Sequence, residues 1–259
     1  MPLYIFHKVH PWLLGATFIF VCVGISVAGL ILFRKYTDKE RLKSSQEAII
    51  AFMNIVAVLY AVLLAFLVIA VWESFDKCQD NVSSEANNLG SLYRNITLLP
   101  EPTRSELNKE LLAYEDAVIN KEFPAMEYGG ESKEVKDIII KIFNTIARYQ
   151  SLLDKESVVF NGIYKDFNEM LDCRRLRLIA STEEIPSVLW LTLIAGTIAV
   201  VFFSYYFHIE HFKTHIIFTI VIGAIIGLTL FLVFVLEHPF QDPWKISPEV
   251  FSKMHNISG

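Results

Sequence analysis

One stretch of 25 residues, from Ala48 to Trp72, contains no charged side chain, no glycine and no proline. It passes without a break into a polar segment whose apolar residues recur at helical spacing. At about 1.5 Å per residue, a helix of this length measures about 37 Å, which exceeds the roughly 30 Å hydrocarbon core of a bilayer. We therefore predict one long helix that crosses a membrane and continues into water.

Three further segments of 20 or more residues also lack Asp, Glu, Lys and Arg, and the mean hydropathy of the chain is +0.42. Segments of this kind are long enough to span a bilayer. The sequence thus predicts an all-α membrane protein, with four transmembrane helices and a helical bundle domain inserted between spans two and three. The predicted parts are an N-terminal transmembrane pair at 1–72 (spans 11–33 and 48–72), a soluble helical bundle at 73–185, a C-terminal transmembrane pair at 186–236 (spans 188–207 and 216–236) and a tail at 237–259.

The predicted bundle shows no sustained alternation of period two, and helix breakers divide it into segments with helical spacing. Pro100 ends the first segment, and Phe123-Pro124 with Gly129-Gly130 ends the second. We expect four helices of about 20 residues packed as a bundle, with Ser132 exposed beside the glycine pair. The tail is rich in proline and aromatic residues, so we expect an ordered but non-regular segment at the membrane interface.

The charge balance and the motifs exclude several classes of function. A net charge of −5 and the lack of a basic tract argue against nucleic acid as a partner. No nucleophile–base motif, phosphate-binding loop or dinucleotide fingerprint occurs, so we expect neither an enzyme nor a cofactor. His208, His211 and His215 have a spacing that can hold a metal on a helix. They fall in a short loop between spans, where histidine is commonly an interfacial polar residue, so we predict no metal site.

Two cysteines flank the predicted bundle, each on its membrane side. Cys78 lies six residues after the second span, whereas Cys173 lies about 13 residues before the third. A disulfide needs Cα atoms within about 7 Å of each other and an oxidising compartment. Because the two distances along the chain differ, we predict free thiols.

The distribution of basic residues predicts an orientation in a cell inner membrane. The loop 34–47 is short and carries five Lys or Arg residues, next to the first span. The positive-inside rule gives most weight to such loops, while long domains translocate largely regardless of charge. We therefore predict that 34–47 is cytoplasmic and that the bundle and both termini lie on the non-cytoplasmic side.

Small and polar residues recur along one face of the second span. A packing seam is the first explanation, because small side chains let helices approach closely in lipid. The wall of a pore is the second, since channels line their pathways with small or apolar residues and gate at hydrophobic constrictions. The candidate pore-lining residues on this face are Asn54, Ala57, Ala61, Ala65, Val68 and Trp72.

Charged residues also occur within the part-apolar helices of the bundle. Buried ion pairs that fix the register of the helices would explain them. In an oligomer, they can instead form charged rings at a pore vestibule. The candidates for these two roles are Glu73, Glu85, Arg94, Glu115, Glu122 and Arg174.

Several short motifs follow one another along nearly the whole chain. They are N-x5-YAVLLAF-x5-W from Asn54 to Trp72, Glu85-Ala86, Leu92-Tyr93-Arg94, Tyr114, Glu122-Phe-Pro124, Arg175-Leu176, Ile185-Pro186 with Trp190, Pro239-Phe240 and Ser247-Pro248-Glu249. The order of these motifs resembles the bestrophin-like family of bacterial membrane proteins.

A more distant similarity links the chain to the bestrophins, which are pentameric anion channels. It rests on four spans, a helical domain between spans two and three, and the sequence from Glu237 to Phe240. The resemblance implies a homo-oligomer, a pentamer if the likeness holds, that works in a lipid bilayer and handles inorganic ions. It also implies a cytosolic bundle, opposite to the charge-based prediction. Gln241, Asp242 and Pro243 stand where bestrophins carry a calcium-binding acidic run, so calcium gating is not implied.

Two hypotheses for the function follow from these observations. The leading one is an oligomeric ion channel or pore whose second span lines the pathway. The alternative is a non-conducting membrane scaffold or sensor whose helical bundle binds a partner.

Overall fold

The computed structural model describes residues 11–37, 46–150, 158–183, 185–207, 209–242 and 244–258, and these residues form helices and connecting turns without a strand. The helices are α1 (Pro11–Tyr36), α2 (Gln46–Ile96), α3 (Thr103–Ala117), a π-helical segment (Val118–Glu122), α4 (Phe123–Met126), α5 (Lys133–Gln150), α6 (Val158–Ala180), α7 (Ser187–Ser204), α8 (Phe212–Glu237) and α9 (Glu249–Ser258). Four of them, α1, α2, α7 and α8, are long and apolar enough to cross a membrane. The predicted all-α membrane fold is confirmed.

The chain divides into two compact units, which we call the membrane unit (1–74 and 184–237) and the helical unit (75–183 and 238–259). Helix α2 is continuous across the first boundary and has 51 residues, as the opening stretch of the sequence predicts. The second predicted helix does not stop at Phe123-Pro124, since the π-helical segment leads directly into α4. Pro124 is in the first turn of α4, the part of a helix that tolerates proline best.

Within the membrane unit, α1 and α8 pack at close range through glycines of α8. A Cβ atom built on Gly227 would lie 2.8 Å from the Cα of Ile19, and one built on Gly223 would lie 3.0 Å from the Cα of Val23. This contact is the one that the small-xxx-small spacing of the fourth span favours. Rings of Phe18 and Phe231 pack beside it, with their centroids 5.7 Å apart.

We expect Gly227→Leu to destabilise the membrane unit by about 1–3 kcal/mol or more, because the new side chain would meet backbone atoms of α1 that cannot rotate away. Gly24→Leu is the matched control, since no heavy atom lies within 4 Å of a Cβ built on Gly24. Thermal unfolding in detergent, followed by circular dichroism, measures both. Equal melting temperatures for the two variants would contradict the close α1–α8 contact.

The helical unit is built around one apolar core that the second half of α2 shares with α3, α5 and α6. Fully buried core residues include Leu89, Leu111, Ile142 and Phe167. Ser132, which we expect to be exposed, is instead buried. Its backbone N–H donates a hydrogen bond to Glu122, and its hydroxyl accepts one from the N–H of Val135 at the start of α5.

The C-terminal tail belongs to the helical unit, and it is more regular than the sequence predicts. Phe240, Ile246 and Phe251 are buried in the core of this unit. The N–H of Ile246 donates a hydrogen bond to the carbonyl oxygen of Pro239, at 2.8 Å, and so closes a loop before α9. The aromatic residues that suggest an interfacial segment therefore serve as core residues.

Candidate functional site: the second span and a buried ion-pair cluster

One face of α2 packs against α7 within the membrane unit. The hydroxyl of Tyr60 donates a hydrogen bond to the carbonyl oxygen of Leu193, at 3.1 Å, and it lies 2.7 Å from the hydroxyl of Thr197. Gly196 makes room for this ring, because a Cβ built there would lie 2.2 Å from Tyr60. Met53 and Val71 lie on the same face, and both are buried. This face is the one that the chain covers by itself.

We call the face of Met53, Tyr60 and Val71 the packed face. The predicted small-residue face lies next to it and consists of Asn54, Ala57, Ala61, Ala65, Val68 and Trp72. Each of Asn54, Ala61 and Trp72 follows a packed-face residue by one position, which is a rotation of about 100° around the helix. Asn54, Ala61, Ala65 and Trp72 are exposed, while Ala57 and Val68 are half-buried. The four exposed residues are therefore not in a seam between the described helices of one chain.

A second uncovered face, which the sequence reasoning missed, lies opposite Tyr60. At about 100° per residue, Val58, Val62 and Ile69 lie about 160–200° away from Tyr60. They are 63%, 50% and 53% exposed. We call these three residues the opposite face. A helix whose far side is uncovered in its own chain faces lipid, a second copy of the chain or a pathway.

Five of the charged residues named from the sequence separate into two groups. Glu73 and Arg94 are exposed on α2, and the guanidinium of Arg94 donates a hydrogen bond to the hydroxyl of Ser91. Glu85, Glu122 and Arg174 are buried in the helical unit. For these three, the ion-pair explanation agrees with the structure.

Arg177 is the centre of the buried cluster. Its side chain is fully buried, as are those of Glu85 and Glu122. Its Nε and a terminal nitrogen donate to the two carboxylate oxygens of Glu85, at 2.7 and 2.8 Å. The same terminal nitrogen donates to Glu122 at 2.8 Å, and Nε of Arg174 donates to Glu122 at 3.0 Å. Two carboxylates and two guanidinium groups thus balance each other's charge within the core.

Neighbouring side chains complete this cluster. The hydroxyl of Tyr114 donates to Glu85 at 2.8 Å, and the guanidinium of Arg177 lies over the ring of Phe123, 4.9 Å from its centroid. Burial opposes ionisation of Glu122, but the hydrogen bond from Arg174 and the charge of Arg177 outweigh it, so the pKa of Glu122 is lowered. Burial, followed by the charge of Glu85, raises the pKa of Tyr114. Glu122 is therefore ionised at neutral pH, and Tyr114 is neutral.

Glu115, the remaining acidic candidate, and one of the three histidines, His215, also have protein partners. Glu115 is buried and accepts a hydrogen bond from the hydroxyl of Tyr93, at 3.0 Å. His208 lies outside the described residues, and His211 is exposed. His215 is buried, with Nδ1 lying 3.0 Å from a terminal nitrogen of Arg34 and Nε2 lying 3.2 Å from the carbonyl oxygen of Ser204. Both ring nitrogens of His215 are thus occupied by protein groups.

The two cysteines of the helical unit are free thiols. Cys78 is buried, whereas Cys173 is half-buried. Burial, and then the nearby charge of Glu183, raises the pKa of Cys78 to about 11. Because the thiolate is the nucleophile, Cys78 is poorly reactive at neutral pH.

Comparison with known proteins gives consistent results for fold and family. The model of the bestrophin-like domain matches residues 20–251. A bacterial bestrophin homologue from Klebsiella pneumoniae is similar in structure, with a TM-score of 0.67 at 14% identity, covering 94% of this chain and 95% of that chain. A variant membrane protein gives a TM-score of 0.69 at 13% identity, covering 95% of this chain and 98% of that chain. No curated protein matches the sequence.

The solved structures share the fold of this chain at an identity too low to carry function with it. The family match is a different kind of finding, because it extends from the first span into α9. The matched residues include helix α2, the buried ion-pair cluster and the first part of the C-terminal tail. The chain therefore belongs to the bestrophin-like family.

Proposed function

We propose that the protein is an oligomeric ion channel or pore whose pathway is lined by the second span. The observation that carries this proposal is the exposure of α2. Of its residues in the predicted span 48–72, only Met53 and Val71 are buried within the chain. The similarity to bestrophin homologues supports the same function, since the resemblance to bestrophins implies a channel. The partners are then the lipid bilayer, inorganic ions and further copies of the chain, five in all if the likeness extends to assembly.

Either of two neighbouring faces of α2, the opposite face or the small-residue face, can line the pathway. The opposite face points away from the helix contacts of its own chain, so in a ring of copies it would turn toward the centre. The small-residue face would then lie on the flank, where Ala61 and Ala65 allow a second α2 to approach closely. If the ring is rotated by about 100°, the small-residue face becomes the wall instead. Substitutions on the two faces distinguish these arrangements.

The oligomeric state tests the first requirement of the proposal, which is that several copies of the chain assemble. We expect the purified protein to form a homo-oligomer in detergent, because the uncovered faces of α2 cannot enclose a pathway within one chain. Light scattering coupled to size-exclusion chromatography measures the mass, and ion flux from liposomes measures conduction. A protein that is entirely monomeric in detergent would contradict the pore model. An oligomer that passes no ion in liposomes would favour the alternative, a scaffold or sensor that binds a partner through its helical unit.

Orientation in the membrane remains a prediction, in which the helical unit lies on the non-cytoplasmic side. Single cysteines at exposed positions, such as Lys109→Cys, should then react in intact cells with a membrane-impermeant maleimide. Cys78 should stay unlabelled near pH 7 even after lysis, because its pKa of about 11 leaves little thiolate until the pH approaches that value. Labelling of Lys109→Cys only after lysis would show that the helical unit is cytosolic, as the resemblance to bestrophins implies.

A further inference from the structure

Glu237, the last residue of α8, joins two segments of the membrane unit that are far apart in sequence. One of its carboxylate oxygens accepts a hydrogen bond from the backbone N–H of Ile185, at 3.1 Å. The indole N–H of Trp190 in α7 donates a hydrogen bond that both carboxylate oxygens share, at 3.1 and 3.0 Å. Ile185 and Trp190 are 52 and 47 positions away from Glu237, and all three residues are half-buried. Two of the motifs that carry the family resemblance, Ile185-Pro186 with Trp190 and the sequence from Glu237 to Phe240, therefore meet in one contact.

The position of Glu237 is unfavourable for its own helix and favourable for α7. An acidic side chain at the end of a helix faces the negative end of the helix dipole, where basic residues are preferred, and the last turn of α8 contains no basic residue. At the start of α7 the same carboxylate faces the positive end of a dipole. Pro186, which precedes α7, has no polar side chain to cap that helix. A residue that breaks a local rule in its own helix and satisfies one in a neighbour indicates a role in joining the two helices.

Glu237 also lies where the chain leaves the membrane unit. The chain passes between the two units at three places, of which one directly follows Glu237 and another precedes Ile185 by one residue. Three positions after Glu237, Phe240 is buried in the core of the helical unit, with its ring centroid 6.1 Å from that of Phe123. Phe123 lies under the guanidinium of Arg177, the centre of the buried cluster. Glu237 is thus connected to the core of the helical unit by three residues of chain, and to α7 by hydrogen bonds.

We propose that Glu237 is a positioning residue that makes the start of α7 and the end of α8 move as one body. Repacking of Phe240 in the helical unit is then transmitted to α7 through the carboxylate of Glu237. Helix α7 holds α2 through the hydrogen bonds of Tyr60, so this contact gives the helical unit a means of acting on the second span. The coupling of the two helix ends is independent of ion conduction, whereas its effect on a pathway rests on the proposed function.

Hydrogen–deuterium exchange of the full-length protein in detergent, resolved to single residues by mass spectrometry, tests the contact itself. Glu237→Ala should raise the exchange rate of the Ile185 amide about tenfold or more, because this amide loses a hydrogen bond to a charged acceptor. Glu210→Ala is the matched control for the loss of a carboxylate. Glu210 is exposed in the connection between α7 and α8, so its replacement should leave the exchange rate of Ile185 unchanged.

A double-mutant cycle distinguishes coupling from a purely local role. Phe240→Leu removes the ring that packs against Phe123 but keeps an apolar side chain in the core, so the helical unit should still fold. It should raise the exchange rate of the Ile185 amide several-fold while Glu237 is present. In the Glu237→Ala background it should have no further effect, because the hydrogen bonds that transmit the change are gone. A residue that only stabilises the start of α7 would leave the effect of Phe240→Leu the same in both backgrounds.

Two results would overturn the proposal, with each variant shown to be folded by circular dichroism. The first is an exchange rate of the Ile185 amide in Glu237→Ala equal to that in the parent protein. The second is an effect of Phe240→Leu on this rate that is equal with and without Glu237. Ion flux from liposomes is measured on the same proteins. A parent protein that passes no ion would contradict the proposed function alone, since the exchange rates do not depend on flux.

Discussion

Replacing Arg177 by leucine should cost the helical unit about 3–5 kcal/mol of unfolding free energy, the largest effect that we expect from any single substitution in this unit. The change removes the partner that Glu85 and Glu122 share, and both carboxylates are fully buried. Glu85 then keeps only the hydroxyl of Tyr114 among the hydrogen bonds described above, whereas Glu122 keeps Arg174. An uncompensated carboxylate in the core is far less stable than one in water. Chemical unfolding in detergent, followed by circular dichroism, measures the loss.

Two controls separate the loss of the ion pair from the loss of a large side chain. Arg175→Leu removes an exposed arginine that lies two positions before Arg177 and pairs with Asp172, three positions away on the same helix. This change should alter stability by less than about 1 kcal/mol. The double variant Glu85→Leu with Arg177→Leu should recover part of the loss, because an apolar pair replaces a buried charge. If Arg177→Leu costs no more than Arg175→Leu, the cluster does not stabilise the helical unit.

The spans, the long helix and the all-α class could be predicted from the sequence because each depends on local properties. A run of 25 uncharged residues allows few structures other than a membrane helix. The glycine spacing of the fourth span is equally local, and Gly223 and Gly227 do contact α1. The packing of the tail could not be predicted in this way. Phe240, Ile246 and Phe251 have the composition of an interfacial segment, and only the three-dimensional structure shows the core in which they are buried.

The buried cluster could be predicted only in part, because its members lie far apart in sequence. Arg177 is 92 positions from Glu85 and 55 from Glu122, so no local pattern pairs them. One signal was present nonetheless. Phe167, Met170, Arg174 and Arg177 recur at spacings of three and four, which places both arginines on the inner face of α6 and leaves Arg175 outside.

The two faces of α2 should respond differently to substitution if the opposite face lines the pathway. Val62→Ser should leave the oligomer intact and raise ion flux about tenfold or more, because a polar side chain lowers the barrier of a hydrophobic constriction. Lowering the free-energy barrier to ion passage by about 1.5 kcal/mol raises the rate of passage about tenfold. Val221→Ser on α8 is the matched control, since Val221 is the same residue type with the same exposure, 50%. Liposome flux and oligomer mass are measured on each variant.

Ala61→Leu tests whether the small-residue face lies on the flank of α2, in contact with another copy of the chain, or forms the wall of the pathway. On the flank it overfills a close contact between copies, at a cost of about 1–3 kcal/mol per contact, so the oligomer should dissociate. On the wall it leaves the assembly intact and narrows the pathway, and Asn54→Leu should then also change the flux. Intact assembly with reduced flux in Ala61→Leu, together with unchanged flux in Val62→Ser, would move the pathway to the small-residue face. Normal flux from well-assembled variants at Asn54, Ala61 and Val62 would remove the pathway from α2 altogether, because these residues sample both of its uncovered faces.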